Sequence, residues 1–223
     1  MEIRAVLFDL DGTLVDSERE SAEGMARALE RDHGLTISEA AREFVVGHSW
    51  NEIDDFLRLE LGARLTWSME ELIRRSAAHR AVVIAEQGLT IMPGAREAIE
   101  RMGRWPRAIV TGSSHEEAAQ ALTALGARAA FPHVIAAEDY THGKPAPDGY
   151  LMAAERLGVD PGACLVIEDS APGIAAGRAA GALVVAVRAG NFLGQDQSAA
   201  HAVVDTLDAV TDDFLRELSR KVA

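Results

Sequence analysis

Hydrophobic and polar positions follow two regimes along this chain. Short apolar runs stand at residues 3–8, 107–110, 134–137, 164–167 and 183–187, with a weaker one at 202–204. Runs of this length, rich in branched side chains, predict strands buried on both faces of a parallel sheet. Between them apolar residues recur at helical spacing. Helices are expected from Pro93-Gly94 to about residue 102, and from Ser114-His115-Glu116-Glu117, a capping box, to about 125. Further helices are expected up to residue 157, from 173 to 180, and from about 207. Strands alternating with helices predict an α/β fold with a doubly wound, parallel, Rossmann-like sheet.

One long stretch breaks the alternation. After Ser17-Glu18-Arg19-Glu20, a possible capping box, Ala22, Met25, Ala26 and Leu29 share one helical face, and Gly34 stops the helix. A second helix is expected at 38–46, ending at Gly47. A third follows Ser49-Trp50-Asn51-Glu52 with Ile53, Phe56, Leu57 and Leu61 inward and Gly62 as its stop. A fourth follows Ser68-Met69-Glu70-Glu71 with Leu72, Ile73, Ala77 and Ile84 inward, ending near Gly88. Four amphipathic helices with short joints make a small bundle. The expected organisation is a core of residues 1–15 and 89–223, with an inserted four-helix domain at 16–88.

Composition narrows the function. In 223 residues, 35 acids against 22 lysines and arginines leave a net charge of −13. That field argues against nonspecific nucleic-acid binding and against an anionic membrane surface. If a phosphorylated substrate binds, local features must draw it in against that field. One cysteine, Cys164, excludes an internal disulfide, and no apolar run approaches the roughly 20 residues that span a bilayer. The cytoplasm is the expected compartment, and a monomer or weak homodimer the expected state.

The candidate chemistry lies where strands end. The first apolar run stops in Asp9 and Asp11, whose spacing sends both carboxylates to one side, before Gly12 turns the chain. Alone, D-x-D-G reads sooner as a solvated turn after an edge strand. Two other strands also end in polar groups, Thr111/Ser113 and Glu168/Asp169, and ligands of open parallel sheets bind outside the carboxyl ends of strands. Carboxylates from two strands suit Mg²⁺, a cation that prefers oxygen ligands. A hydroxyl and backbone N–H groups around Gly112, at a helix start, suit phosphate oxygens. Lys144 would offset charge on phosphate or nucleophile.

With these residues in place, the chain resembles the haloacid dehalogenase superfamily, in the branch with a helical cap after the first strand. F-D-L-D-G-T-L-V-D-S-E (8–18), V-T-G-S-S (110–114), G-K-P-A-P-D (143–148) and V-I-E-D-S-A-P-G-I-A-A-G (166–177) match its four motifs in order along the whole chain. The resemblance implies that Asp9 attacks phosphorus and forms an aspartyl-phosphate, while Asp11 protonates the leaving alcohol and then activates water. It implies Mg²⁺ on Asp9, the Asp11 carbonyl and Asp169, with Glu168 helping directly or through water. Thr111, Gly112 and Ser113 would hold the phosphate, and Lys144 would bridge it to Asp9. Glu18, Arg19, His48 and Asn51 are candidate substrate contacts from the cap.

The expected function is a Mg²⁺-dependent phosphatase for a small phosphorylated metabolite, a sugar or polyol phosphate. The alternative within the superfamily is a phosphohexose mutase resembling β-phosphoglucomutase. That family has a histidine in the first cap helix where Ser21 stands here, which favours the phosphatase. Asp11 speaks against a dehalogenase, and the absence of lysine between residues 16 and 88 against phosphonate cleavage. A phospho-receiver domain or a non-catalytic phosphate-binding protein is the reading from another class. A receiver would place its acceptor on a later strand and lack the helical insert.

Overall fold

The structure, a computed structural model, describes residues 2–46, 48 and 50–222. The chain forms two compact units, Met1–Asp16 with Ile91–Ala223, and Ser17–Thr90.

The first unit is built on β1 (Ala5–Phe8), followed by the two-residue strand β2 (Val15–Asp16). The second unit supplies four helices: α1 (Glu18–Ala28), α2 (Glu39–Val45), α3 (Trp50–Leu61) and α4 (Met69–Gln87). A second two-residue strand, β3 (Thr90–Ile91), marks the return of the chain. Then come α5 (Ala95–Arg101), β4 (Arg107–Val110), α6 (His115–Leu125), β5 (His133–Ile135), α7 (Asp148–Leu157), β6 (Cys164–Glu168), α8 (Ala171–Ala179), β7 (Leu183–Val187), β8 (Ala202–Val204) and α9 (Asp212–Lys221).

The large sheet is parallel, in the order β5-β4-β1-β6-β7-β8. Numbered by appearance within this sheet, the strands lie 3-2-1-4-5-6, the doubly wound order. Its switch point falls between β1 and β6, which pair from Ala5↔Cys164 to Phe8↔Ile167. Asp9 and Glu168/Asp169 therefore leave the sheet side by side. Both faces are covered. Ala5, Leu7, Ala108, Val110, Val166 and Val184 pack with Tyr150, Ala153 and Ile174 on one side. The alternate residues Val6, Phe8, Ile109, Leu165 and Ile167 are equally buried. This two-sided burial is why these strands read as continuous apolar runs.

In the helical unit, Ala22, Met25, Leu29, Ile37, Val45, Ile53, Leu57, Leu61 and Leu72 form one cluster. The expected stops hold, with Gly34, Gly62 and Gly88 all at positive φ. Gly47 and the capping residue Ser49 lie outside the described residues. Two details differ from the sequence reading. Ser17 sits in the αR region and does not cap α1 through its side chain. Its intended partner, Glu20, is buried and accepts from the Thr90 N–H and hydroxyl instead. The buried line of α4 is Leu72, Ser76 and Val83, while Ala77 is exposed. Gly24 explains the rotation: a Cβ there would lie 2.7 Å from the Arg80 backbone nitrogen, so α1 and α4 touch backbone to backbone.

In the core, the Ser114–Glu117 capping box forms completely, and Ser170 caps α8 two residues earlier than expected. The C-terminal segment is a 3₁₀ turn, Leu207–Ala209, and then α9, because Thr211 caps a new helix.

Gly24→Ala tests the backbone contact. Overpacking costs about 1–3 kcal/mol, against roughly 1 kcal/mol gained in helix propensity. The net expectation is a loss of about 1 kcal/mol in urea unfolding, with no loss for Gly103→Ala, whose Cβ would meet its nearest neighbour at 3.7 Å.

Candidate active site

β1 delivers Asp9 to the carboxyl edge of the sheet, where its N–H donates to the Ile167 carbonyl at 3.0 Å. The residue is 5% exposed. Lys144, on the loop before α7, places Nζ 2.5 Å from Asp9 Oδ1 and 2.5 Å from Glu168 Oε1. The other oxygen of Asp9, Oδ2, is buried and has no hydrogen-bond partner among the described residues. One carboxylate thus has one oxygen held by an ammonium and the other left over.

Glu168 is engaged on both oxygens. Oε1 takes Lys144 and the Tyr150 hydroxyl at 2.9 Å. Oε2 accepts from the Asp169 N–H, the Ser170 N–H and the Ser170 hydroxyl, each at 3.0 Å. Five donors saturate a carboxylate, which has about four lone-pair sites. Gly173, on α8, makes room for it: a Cβ there would overlap Glu168 Oε1 at 1.6 Å.

Asp169 is 7% exposed and accepts from the Thr13 hydroxyl at 3.1 Å. The turn at Gly12, with φ of 85°, presses against it, and a Cβ there would lie 2.4 Å from Asp169 Oδ2. Asp9, Glu168 and Asp169 each offer an oxygen within 4.8 Å of the others. Burial and mutual repulsion push the Asp9 carboxyl up to about 7, although Lys144 pulls the other way. Asp169 is pushed up to about 9 by burial and by Asp9. Burial also opposes the charge on Lys144, but Asp9 and Glu168 hold it well above the usual lysine range.

These features fit a hard divalent cation. The orphaned oxygen of Asp9 and the elevated pair of aspartates both mark negative charge that one ammonium does not balance. Asp9 and Asp169 are the side chains with capacity to hold it. Glu168 lies within the same cluster, with its oxygens already used.

The phosphate-binding candidates also converge here. Thr111, fully buried at the end of β4, donates its hydroxyl to Asp11 Oδ2 at 2.9 Å, and Ser113 does the same at 2.7 Å. The Ser113 N–H donates to Thr111 Oγ1 at 2.9 Å. Gly112 is exposed, with open space where a Cβ would stand. Glu18 and His48 belong to the helical unit, Glu18 at the start of α1 and His48 after α2, where its ring stacks on Phe44 at 3.9 Å.

Sequence reasoning missed Thr13, Tyr140 and Tyr150. Tyr140 donates to the Thr111 carbonyl at 2.7 Å. Thr13 lay inside the first motif; the two tyrosines belong to no motif and act across distances the sequence does not mark.

Residues 3–181 match the haloacid dehalogenase-like hydrolase family. The chain is a member of that family. A validoxylamine A 7'-phosphate phosphatase of Streptomyces hygroscopicus subsp. limoneus is 33% identical to this haloacid dehalogenase-like hydrolase, over 82% of the chain and 84% of the relative. The fructose-1-phosphate phosphatase of Escherichia coli (strain K12) is 32% identical over 82% of this chain and 95% of its own. The crystal structure of β-phosphoglucomutase from Clostridium difficile superposes with a TM-score of 0.73 at 25% identity, covering 99% of this chain and 98% of that one.

Tyr150→Phe removes one donor from a buried carboxylate. A hydrogen bond to a charged group is worth about 1.5–3 kcal/mol, so urea unfolding should show a loss of that size; an unchanged midpoint would mean that Glu168 does not need this donor.

Proposed function

We propose that this hydrolase removes phosphate from a small phosphomonoester, a sugar or polyol phosphate, with Asp9 as nucleophile and a Mg²⁺ ion on Asp9 and Asp169. The observation that carries the reading is the divided Asp9 carboxylate, with Lys144 on one oxygen and the other buried without a partner among the described residues.

The residues divide the work as follows. An Asp9 oxygen attacks phosphorus, and the bond from phosphorus to the leaving alkoxide breaks. Asp11 gives that oxygen a proton, so that an alcohol departs and an aspartyl-phosphate is left on Asp9. Asp11, now a carboxylate, takes a proton from water as the water oxygen attacks phosphorus. The Asp9–phosphate bond breaks, and inorganic phosphate leaves. Lys144 favours the ionised form of Asp9 against the effect of burial and faces the transferring group with positive charge. Thr111, Ser113 and the N–H groups around Gly112 hold the phosphate oxygens. Bound Mg²⁺ would balance the remaining carboxylate charge and stabilise charge on the phosphoryl oxygens. Glu168 fixes Lys144 rather than giving the cation an oxygen of its own.

The phosphate and Asp11 compete for the same protons. Thr111 and Ser113 now donate to Asp11, and a bound phosphate would take those donors and release the acid toward the leaving oxygen. Supporting phosphatase over mutase, Ser21 stands where the mutase has histidine, and its hydroxyl is turned to the Ser17 carbonyl at 2.8 Å. The phosphatase names of the two relatives at 32–33% identity point the same way.

Phosphate release across a panel of phosphorylated sugars and polyols tests the reading. Wild type should turn over at least one of them with Mg²⁺ and lose activity when it is chelated. Asp9→Asn should abolish turnover, and Asp11→Asn should lower kcat by about 10²–10⁴. Conversion to an isomer without phosphate release, or equal rates in wild type and Asp9→Asn, would contradict it.

A further inference from the structure

The segment carrying Asp169 is gripped by a loop outside every acidic motif. Residues 188–198 follow β7. Gln197, 7% exposed, donates from Nε2 to the Asp169 carbonyl at 2.6 Å and to the Val187 carbonyl at 2.9 Å. Both hydrogens of its amide are thus spent on carbonyls just beyond or at the ends of two neighbouring strands. Gln195 accepts the Ala171 N–H at 2.8 Å, two residues past Asp169. Asn191 locks the loop by accepting the Gln195 N–H and donating to the Gln195 carbonyl, both at 2.7 Å. At the loop's start, Gly190 lies so close to Gly12 that a Cβ would stand 1.8 Å from the Gly12 carbonyl oxygen. Gly12 is in turn the residue that presses on the Asp169 carboxylate.

One loop therefore fixes the two peptide groups that follow the Asp169 Cα and meets the turn that faces its carboxylate. We propose that Gln197, assisted by Gln195, is a positioning residue for the cation site, acting through the backbone of Asp169. Its physical basis is leverage. The carboxylate hangs from a Cα whose following peptide plane is held by Gln197, so a rotation of that plane swings the carboxylate oxygens. Mg²⁺ tolerates such displacement poorly, because it demands near-octahedral geometry at about 2.1 Å. A glutamine that merely stapled the sheet edge would affect stability without moving cation affinity, and this difference makes the proposal testable. It rests on the reading of Asp169 as a cation ligand.

Calorimetric titration of the substrate-free protein with Mg²⁺ alone is the test. Gln197→Met keeps the length and removes both donors; loss of such an outer partner typically weakens metal binding 10–100-fold, and about 10-fold is expected here. Gln195→Met, on a half-buried residue, should weaken it in the same direction by about 3-fold, below that range because it holds one N–H. At saturating Mg²⁺ the substrate KM should be unchanged in both. A folded Gln197→Met protein with wild-type Mg²⁺ affinity overturns the inference while leaving Asp169 as a ligand. If Gln197→Met does not fold, unchanged affinity in Gln195→Met overturns it equally. Wild-type protein that takes up no Mg²⁺ overturns the reading beneath and the inference with it.

Discussion

Buried carboxylates gathered around one ammonium cannot all be ionised without further positive charge, and this imbalance governs the core of the molecule. Lys144 bridges Asp9 and Glu168, and Asp169 stands beside them. Five donors surround Glu168. Burial pushes the Asp9 and Asp169 carboxyls up to about 7 and about 9. A fold that carried this charge without a use would replace it, since a buried ion cluster is a weak source of stability. On the proposed function, a cation and a phosphoryl group complete the arrangement.

The sheet makes that cluster possible. The switch point between β1 and β6 sets Asp9 next to Glu168 and Asp169, although about 160 residues separate them, and β4 brings Thr111 to the other side of β1. Close approach then depends on missing side chains. Gly12 leaves room for Asp169, Gly173 for Glu168 and Gly190 for Gly12. Tyr150 closes the apolar side of the site, wholly buried with its hydroxyl on Glu168.

Much of this was legible in the sequence because strand ends in a parallel sheet carry chemistry at predictable places. Asp9, Asp11, Thr111, Ser113, Lys144, Glu168 and Asp169 all fall in the core unit, in two sets of contacts: Thr111 and Ser113 on Asp11, and Lys144 on Asp9 and Glu168 with Asp169 beside them. What escaped has definite causes. Ser17 has the residue type of a cap but an αR backbone, and capping needs the extended region. The buried face of α4 depends on Gly24, which periodicity along α4 does not register. Tyr150 and Gln197 reach their partners across 18 and 28 residues, and neither residue type announces such a role. The direction of the Thr111 and Ser113 hydroxyls, toward Asp11, is a matter of side-chain geometry alone. In the helical unit, apolar spacing reports which residues pack and not which turns meet a ligand, so Glu18 and His48 rest only on their places at or near turns.

The central claim is that the lysine-held Asp9 carries the phosphoryl group in transit. The direct measurement is rapid acid quenching of enzyme during turnover of a phosphorylated substrate, followed by mass spectrometry of its peptides. The account requires a phosphoryl group on the peptide containing Asp9, absent when the substrate is omitted. A phosphoryl group on another residue, or none during a demonstrable burst of alcohol release, would contradict it.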